Sequence, residues 1–357
     1  MIANYEIQDW LFRVARGRYD VDLAESGVQA QLLADVATDP AWDLDYSYDR
    51  GSGELCDEVA RLYGPAKDGM GHVVITHGAQ EALYLFYRSF LTPADHVITT
   101  YPGWQQAWEV PAQVGCAVSR FCWTPGEKFD VEALAELIRP DTRLLVLNSP
   151  CNPLGTIIPD ETWDDLVALA TEHDLWIVND EEYLVDFEGS VVNRYDRSLS
   201  VSGLSKLYGL PALRTGWAVS TPEVIEAMVN YKRYTTVSNS LLCERIAVGV
   251  LRDRARHLAR YRRLVDNGRA RITAFAQRNS GILELVPPEG TPFGWFKLHT
   301  DFTSQALAER LLEDHRVLVM PAEVFGSERG IRLTHARPDA VLDEGLSRIE
   351  TMLADVH

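Results

Sequence analysis

Ser202-Gly-Leu-Ser-Lys206-Leu-Tyr-Gly-Leu-Pro-Ala-Leu-Arg214-Thr-Gly216-Trp217 sets one lysine and one arginine eight residues apart in an otherwise apolar, small-residue run. A lysine in such a setting loses hydration, which lowers its pKa and makes its amine a usable nucleophile toward an aldehyde. An arginine nearby matches the oxygens of a phosphate with its fork of donors. The stretch is flanked by two short apolar runs, residues 198–201 and 215–219, that read as buried strands.

Four more such runs lie upstream, at residues 72–76, 96–100, 143–147 and 175–178. Helical patterns separate most of them, at 79–91, 131–138 and 160–172. Repeated strand–helix units predict an open, mostly parallel sheet between helices, an α/β fold. Residues 222–279 read as helices, including a strongly charged stretch from Asp253 that predicts the solvated face of a long helix. From Ile282 the pattern is α+β, which predicts a second, smaller domain. The expected division is an N-terminal segment over residues 1–45 that packs on the small domain and the site, a large domain over 46–260 and a small domain over 261–357.

The 357 residues are sufficient for two sizeable cores, and a net charge of −18 argues against nucleic acid or an anionic membrane as partner. Five cysteines, an odd number without metal-ligand spacing, predict a reducing, cytoplasmic setting and no metal site. The start resembles no signal peptide, and no apolar run is long enough to span a bilayer. Of the five lysines, only Lys206 sits in a motif; Lys67, Lys128, Lys232 and Lys297 read as surface charges.

In an open α/β sheet, ligands lie beyond the carboxyl ends of the strands. The first such end carries His77-Gly78-Ala79-Gln80, a glycine turn that opens a helix and offers free N–H groups to an anion. The second carries Tyr101-Pro-Gly-Trp104, with an aromatic ring able to stack on a planar ligand. The third carries Asn148-Ser-Pro-Cys-Asn152-Pro-Leu-Gly155, a rigid loop that aims an amide. The fourth carries Asn179-Asp180-Glu-Glu-Tyr183, where a carboxylate closing an apolar strand calls for a cation. The fifth leads to Lys206. Taken singly, each has a plainer explanation: a common βα turn, a core tryptophan, a turn asparagine, a solvated acidic loop. Together they supply an anion cradle, a ring, an amide, a carboxylate and an amine, the set that pyridoxal 5'-phosphate needs.

These motifs resemble the fold type I pyridoxal-phosphate enzymes of the class I/II aminotransferase family, from about Leu23 to Ala336. The resemblance implies a seven-stranded-type, mostly parallel sheet and a set of roles. Lys206 would carry the cofactor as a Schiff base and move the Cα proton. Asp180 would pair with the pyridinium nitrogen, Asn152 and Tyr183 with the ring's 3-oxygen, and Trp104 would stack on the ring. Gly78, Ala79, Gln80, Ser205 and Arg214 would hold the phosphate. Arg332, in Gly330-Ile-Arg-Leu-Thr-His-Ala336, would clamp the substrate α-carboxylate beside Asn152 and Gly27. Tyr46, with Tyr48 as rival, would reach the phosphate of a partner subunit in a homodimer. One departure is Gly203, where the family usually has serine or threonine; a phosphate hydroxyl is then missing unless Ser202 replaces it.

The implied function is transamination of an L-amino acid. The alternative is elimination with cyclisation, or replacement, of a hydroxylated amino acid in specialised metabolism. Thr76-His-Gly-Ala-Gln-Glu-Ala-Leu-Tyr-Leu85, Asp9-Trp-Leu and Ser26-Gly-Val28 are similar to capreomycidine synthase and related cyclases of hydroxylated arginine. Asp20, Asp22 and Glu25 would then face a guanidinium, although solvated loop charges are the simpler expectation. A cofactor-binding regulator on this fold would carry a DNA-binding domain, for which neither the extent of the resemblance nor the charge is suited.

Overall fold

The computed structural model describes residues 2–67 and 69–354. A short helix α1 (Glu6–Asp9) runs into a π-helical turn (Trp10–Val14), and strand β1 (Val21–Asp22) follows. Helix α2 (Gly53–Tyr63) leads into the first βα unit, β2 (Val73–His77) and α3 (Ala79–Phe90). Next come β3 (His96–Tyr101), α4 (Gln106–Val114), β4 (Ala117–Cys122), α5 (Val131–Ala135), β5 (Thr142–Asn148), α6 (Asp160–Glu172) and β6 (Trp176–Asp180). Strands β7 (Ser198–Gly203) and β8 (Thr215–Val219) bracket the lysine loop.

These strands form one seven-stranded sheet in the order β2-β8-β7-β6-β5-β3-β4, parallel throughout except for β8. Alternate side chains enter opposite apolar layers. Val74, Leu144, Val146 and Val201 pack with α3, while Val73, Ile75, Leu145 and Leu147 pack with α2 and α6. A strand buried on both faces reads as an unbroken apolar run, which is why the central strands were legible. Strand β4 was missed. It lies at the sheet edge and is mostly solvent-facing, and Ser119 and Arg120 interrupt its apolar pattern.

Helices α7 (Pro222–Lys232), α8 (Leu241–Arg252) and α9 (Arg254–Arg278) follow; the last is the expected long charged helix. Then come β9 (Leu283–Val286), β10 (Phe293–Leu298), α10 (Ser304–His315), β11 (Val317–Leu318), β12 (Met320–Pro321), β13 (Ile331–Thr334) and α11 (Asp339–Ala354). An antiparallel sheet β12-β13-β10-β9 results, and β1 pairs in parallel with β11. The N-terminal segment is tied down further by Trp10 Nε1 to the Val319 carbonyl at 2.9 Å, Thr334 N to the Leu23 carbonyl at 2.9 Å and Gln29 N to the Ala336 carbonyl at 3.0 Å.

Two of the supposed surface lysines are buried. Lys232 is fully enclosed, its ammonium donating to the carbonyls of Asp49 at 2.9 Å and Ile75 at 2.8 Å and to Asn239 Oδ1. Lys67 keeps 8% of its exposure. In Lys232 the charge is tolerated because three oxygens replace its hydration, and burial holds its pKa below the ordinary value. Among the described residues, no helix is long and apolar enough to cross a membrane.

Candidate active site

The carboxyl ends of β2, β3, β5, β6 and β7 open on one cavity of about 680 Å3. Because β8 runs the other way, its start lies at this same edge: Thr215 is opposite His77, and Gly216 is opposite Gly203. That reversal delivers Arg214 to the carboxyl end of its neighbours. Ala79, Gln80, Trp104, Asn152, Asp180, Tyr183, Ser205, Lys206, Arg214 and Arg332 all line the cavity, although they are spread over some 250 residues of chain.

Gly78 adopts φ 77° before the first turn of α3, and a Cβ there would stand 2.4 Å from an Arg214 amino nitrogen. Only glycine leaves room for this approach of the guanidinium to the helix N-terminus, and the pair forms a built anion cradle. Trp104 meets Tyr5 edge to face at 5.7 Å, so it borders the cavity with one edge held rather than lying in the core. Tyr183 is almost fully buried and packs edge-on against Phe293 at 5.1 Å.

Arg332 is 2% exposed and sits on β13, between β12 and β10, not at an edge. It donates to Asn152 Oδ1 at 2.5 Å and to the Ala24 carbonyl, and its guanidinium lies over Phe293 and Phe325 at 5.1 and 4.9 Å. Its Nε is buried without a partner. Asn152 is held in turn by Asn148, whose Oδ1 accepts from its backbone N–H at 2.6 Å. With Asn152 Oδ1 engaged, the amide NH2 is the group left to donate.

The acidic loop after β6 is not solvated. Glu181 is fully buried and accepts from Ser190 Oγ at 2.7 Å, Ser200 Oγ at 2.5 Å, Val191 N at 3.0 Å and Asn179 Nδ2 at 3.1 Å. Asp180 accepts from Glu182 N at 3.1 Å, and burial raises its pKa to about 6 against the pull of that hydrogen bond and of Lys206. Glu182, unremarked in the motif, is 7% exposed and lines the cavity. Burial, then the charge of Asp180, pushes it up to about 7 against the pull of Lys206 and Arg214.

Lys206 departs from expectation. Its Nζ lies 2.9 Å from Glu25 Oε1, an ion pair spanning 181 residues. Burial opposes its charge, but Glu25, with Tyr183 and Glu182 behind it, outweighs that and raises the pKa. The same pair holds Glu25 down at about 2. Glu25 is therefore not a free loop charge, and the lysine is not depressed by desolvation. Asp20 is likewise paired, with Arg316 at 2.9 Å, and Asp22 Oδ1 accepts from Ala24 N at 2.8 Å and Glu25 N at 3.0 Å.

Gly27 does not line the cavity. It packs on the lysine loop, where a Cβ would lie 3.1 Å from the Ser205 carbonyl, and its N–H donates to Glu25 Oε1 at 3.1 Å. Tyr46 and Tyr48 are 86% and 75% exposed and line no part of this chain's cavity. The N-terminal segment, expected to pack on the site, makes a wall there from Ile7, Gln8, Leu11 and Phe12, residues that sequence reasoning did not single out as site residues. Among the described residues, no group of His, Cys, Asp and Glu is placed to hold a metal.

Comparison with known proteins agrees with this geometry. The family described as aminotransferase class I and II matches residues 12–349. The chain is similar to capreomycidine synthase of Streptomyces vinaceus, 32% identical over 97% of this chain and 93% of the relative. It is similar to the arginine–pyruvate transaminase AruH of Pseudomonas aeruginosa, 29% identical over 99% of this chain and 93% of the relative. A solved PLP-dependent aminotransferase from Streptococcus suis 89-1591 superposes with a TM-score of 0.93, at 25% identity and covering 100% and 99% of the two chains. The chain therefore belongs to the class I and II aminotransferase family, enzymes of fold type I with pyridoxal 5'-phosphate as cofactor.

Proposed function

We propose that this protein transaminates an L-amino acid. The observation that carries the reading is the grouping of Lys206, Asp180 and an Asn152-oriented Arg332 around one cavity. The residues fit the cofactor: the Gly78–Arg214 cradle suits a phosphate, and Asp180, a buried carboxyl whose pKa burial raises to about 6, suits a protonated ring nitrogen. When bound, pyridoxal phosphate supplies an electron sink for charge developing at Cα. Arg332 and the Asn152 amide bind and orient the substrate carboxylate, a charge-assisted pair in a dry setting. Lys206 would take the Cα proton on Nζ and return it. Trp104 would cover the ring and, with Ile7, Leu11 and Phe12, would exclude water from the cavity they line. Asp180→Ala is expected to weaken turnover far more than folding.

A second reading is elimination with cyclisation or replacement on a hydroxylated, arginine-like substrate. It is supported by Glu25, an acid on the cavity wall suited to a cationic side chain, and by the similarity to capreomycidine synthase. The deciding experiment mixes the loaded enzyme with single L-amino acids, including arginine and hydroxyarginine, without a keto acid. Transamination leaves the cofactor absorbing as pyridoxamine phosphate with one equivalent of keto acid. Return of the aldehyde form with a product that keeps the amine favours the second reading and refutes the first.

The protein is further proposed to be a cytoplasmic homodimer. Leu32, Leu33, Leu44, Tyr46 and Tyr48 are each exposed along one segment, and Tyr46 would complete the phosphate site of a second copy. Sedimentation that gives a monomer at micromolar concentration refutes this.

A further inference from the structure

The hydroxyl missing at position 203 has no replacement in Ser202. That side chain is fully buried, does not line the cavity, and its Oγ donates to the Glu181 carbonyl at 3.2 Å. Something else fills the space beside Gly203. A Cβ built on Gly203 would stand 3.0 Å from Glu182 Oε1, 2.9 Å from the Thr215 carbonyl and 3.1 Å from Gly216 Cα. Gly216 in turn abuts the anion cradle, where its own Cβ would fall 2.4 Å from the Gly78 carbonyl carbon and 2.5 Å from Ala79 N. The Glu182 carboxyl thus reaches the phosphate side of the cavity through the gap that glycine leaves. Its second oxygen, Oε2, is buried and has no hydrogen-bond partner. A buried carboxyl with an unpartnered oxygen, on a residue that lines a cavity built for an anion, has hydrogen-bonding capacity unmet.

We propose that Glu182 is a phosphate ligand: as the neutral acid, it donates its O–H to the phosphate of pyridoxal phosphate from the space beside Gly203, where a serine or threonine hydroxyl would otherwise stand. The proton stays on Glu182 and no bond is made or broken beyond this hydrogen bond. The inference rests on the family cofactor and is independent of which reaction follows. Four charged groups face Glu182: Asp180 from its own loop, Lys206 and Arg214 from the β7–β8 connection, and Glu25 from the N-terminal segment. The two carboxylates favour the neutral acid, and the two cations oppose it. With burial added, the acid form survives to about pH 7. Above that, an ionised Glu182 faces the phosphate as a like charge, so cofactor affinity acquires a proton dependence that the cradle alone lacks.

The test titrates cofactor-free protein with pyridoxal phosphate and, separately, with pyridoxal, reading tryptophan quenching from about pH 6 to about pH 8.5. Glu182→Gln keeps an N–H donor that does not ionise. Relative to that variant, the wild type is expected to lose affinity for pyridoxal phosphate by about tenfold or more across this range, the worth of one hydrogen bond to a charged group. Pyridoxal, lacking phosphate, is expected to show no such divergence. Glu182→Ala is expected to bind pyridoxal phosphate at pH 6 as weakly as the wild type does at the alkaline end. Parallel profiles for wild type and Glu182→Gln, an equal divergence with pyridoxal, or undiminished affinity of Glu182→Ala at pH 6 would each overturn the assignment.

Discussion

Replacing Glu25 by glutamine should make the cofactor-free enzyme capture an aldehyde faster. The glutamine carbonyl still accepts from Gly27 N–H, so the segment keeps its fold, but Lys206 loses its counter-charge. At the observed 2.9 Å, unit charges in an effective dielectric of about 20 attract by about 6 kcal/mol. The Glu25 and Lys206 side chains keep 41% and 22% of their exposure toward the cavity, so water screens most of that, and about 1–2 kcal/mol survives. That equals about one pKa unit. At a fixed pH well below the lysine pKa, the free-amine fraction rises about tenfold, and the bimolecular rate of Schiff-base formation with pyridoxal rises with it. Stopped-flow absorbance, with borohydride trapping and mass spectrometry to localise the bond, reads this directly. Rate–pH profiles of wild type and Glu25→Gln that superimpose, or a variant profile displaced to higher pH, would refute the view that Glu25 governs the resting lysine.

Gly78→Ala forces a methyl into the Arg214 guanidinium at a backbone angle that side chains rarely adopt; isothermal titration should show pyridoxal phosphate weakened about tenfold and pyridoxal nearly unchanged. Lys232→Met leaves the Asp49 and Ile75 carbonyls and Asn239 without their shared donor, and urea unfolding of the cofactor-free protein should show a loss of about 3–5 kcal/mol. The raised carboxyls make cofactor-free protein pH-sensitive. Asp180 and Glu182 hold protons more tightly folded than unfolded, so their contribution is complete below about pH 4 and is lost as pH rises through about 6 to 7. Each can contribute about 3 kcal/mol, and Glu182→Gln should flatten the corresponding part of a Tm–pH curve measured without cofactor.

What could be read in advance was whatever follows from local pattern. The buried strands announce themselves because both their faces are apolar, and the residues at their carboxyl ends converge because the topology leaves them no other place. Contacts made across long sequence distances carry no such signature. Nothing near Glu25 indicates that β1 will pair with β11 and lay it against Lys206, so three acids in a loop look solvated. Lys232 ends a helix in the position of a common surface cation, and only the arrival of Asp49, Ile75 and Asn239 turns it into an internal tie. Glu182 was hidden by its neighbours: in a run of three acids, its separate role depends on Gly203, which lies on a different strand. Even Gly203, noted as a departure, was read as a missing group rather than as room made for another.

Strand β1 joins the two halves of the site. Glu25 follows it directly, and Ala24 holds Arg332 through its carbonyl, so the lysine's counter-charge and the arginine are carried on one framework stitched to the small antiparallel sheet. Lys206 belongs to the other framework, the seven-stranded sheet. A displacement of one against the other would carry Glu25 and Arg332 together while changing their distance to the amine. In such a displacement the acid paired with the lysine and the arginine on the cavity wall would change position together, not independently.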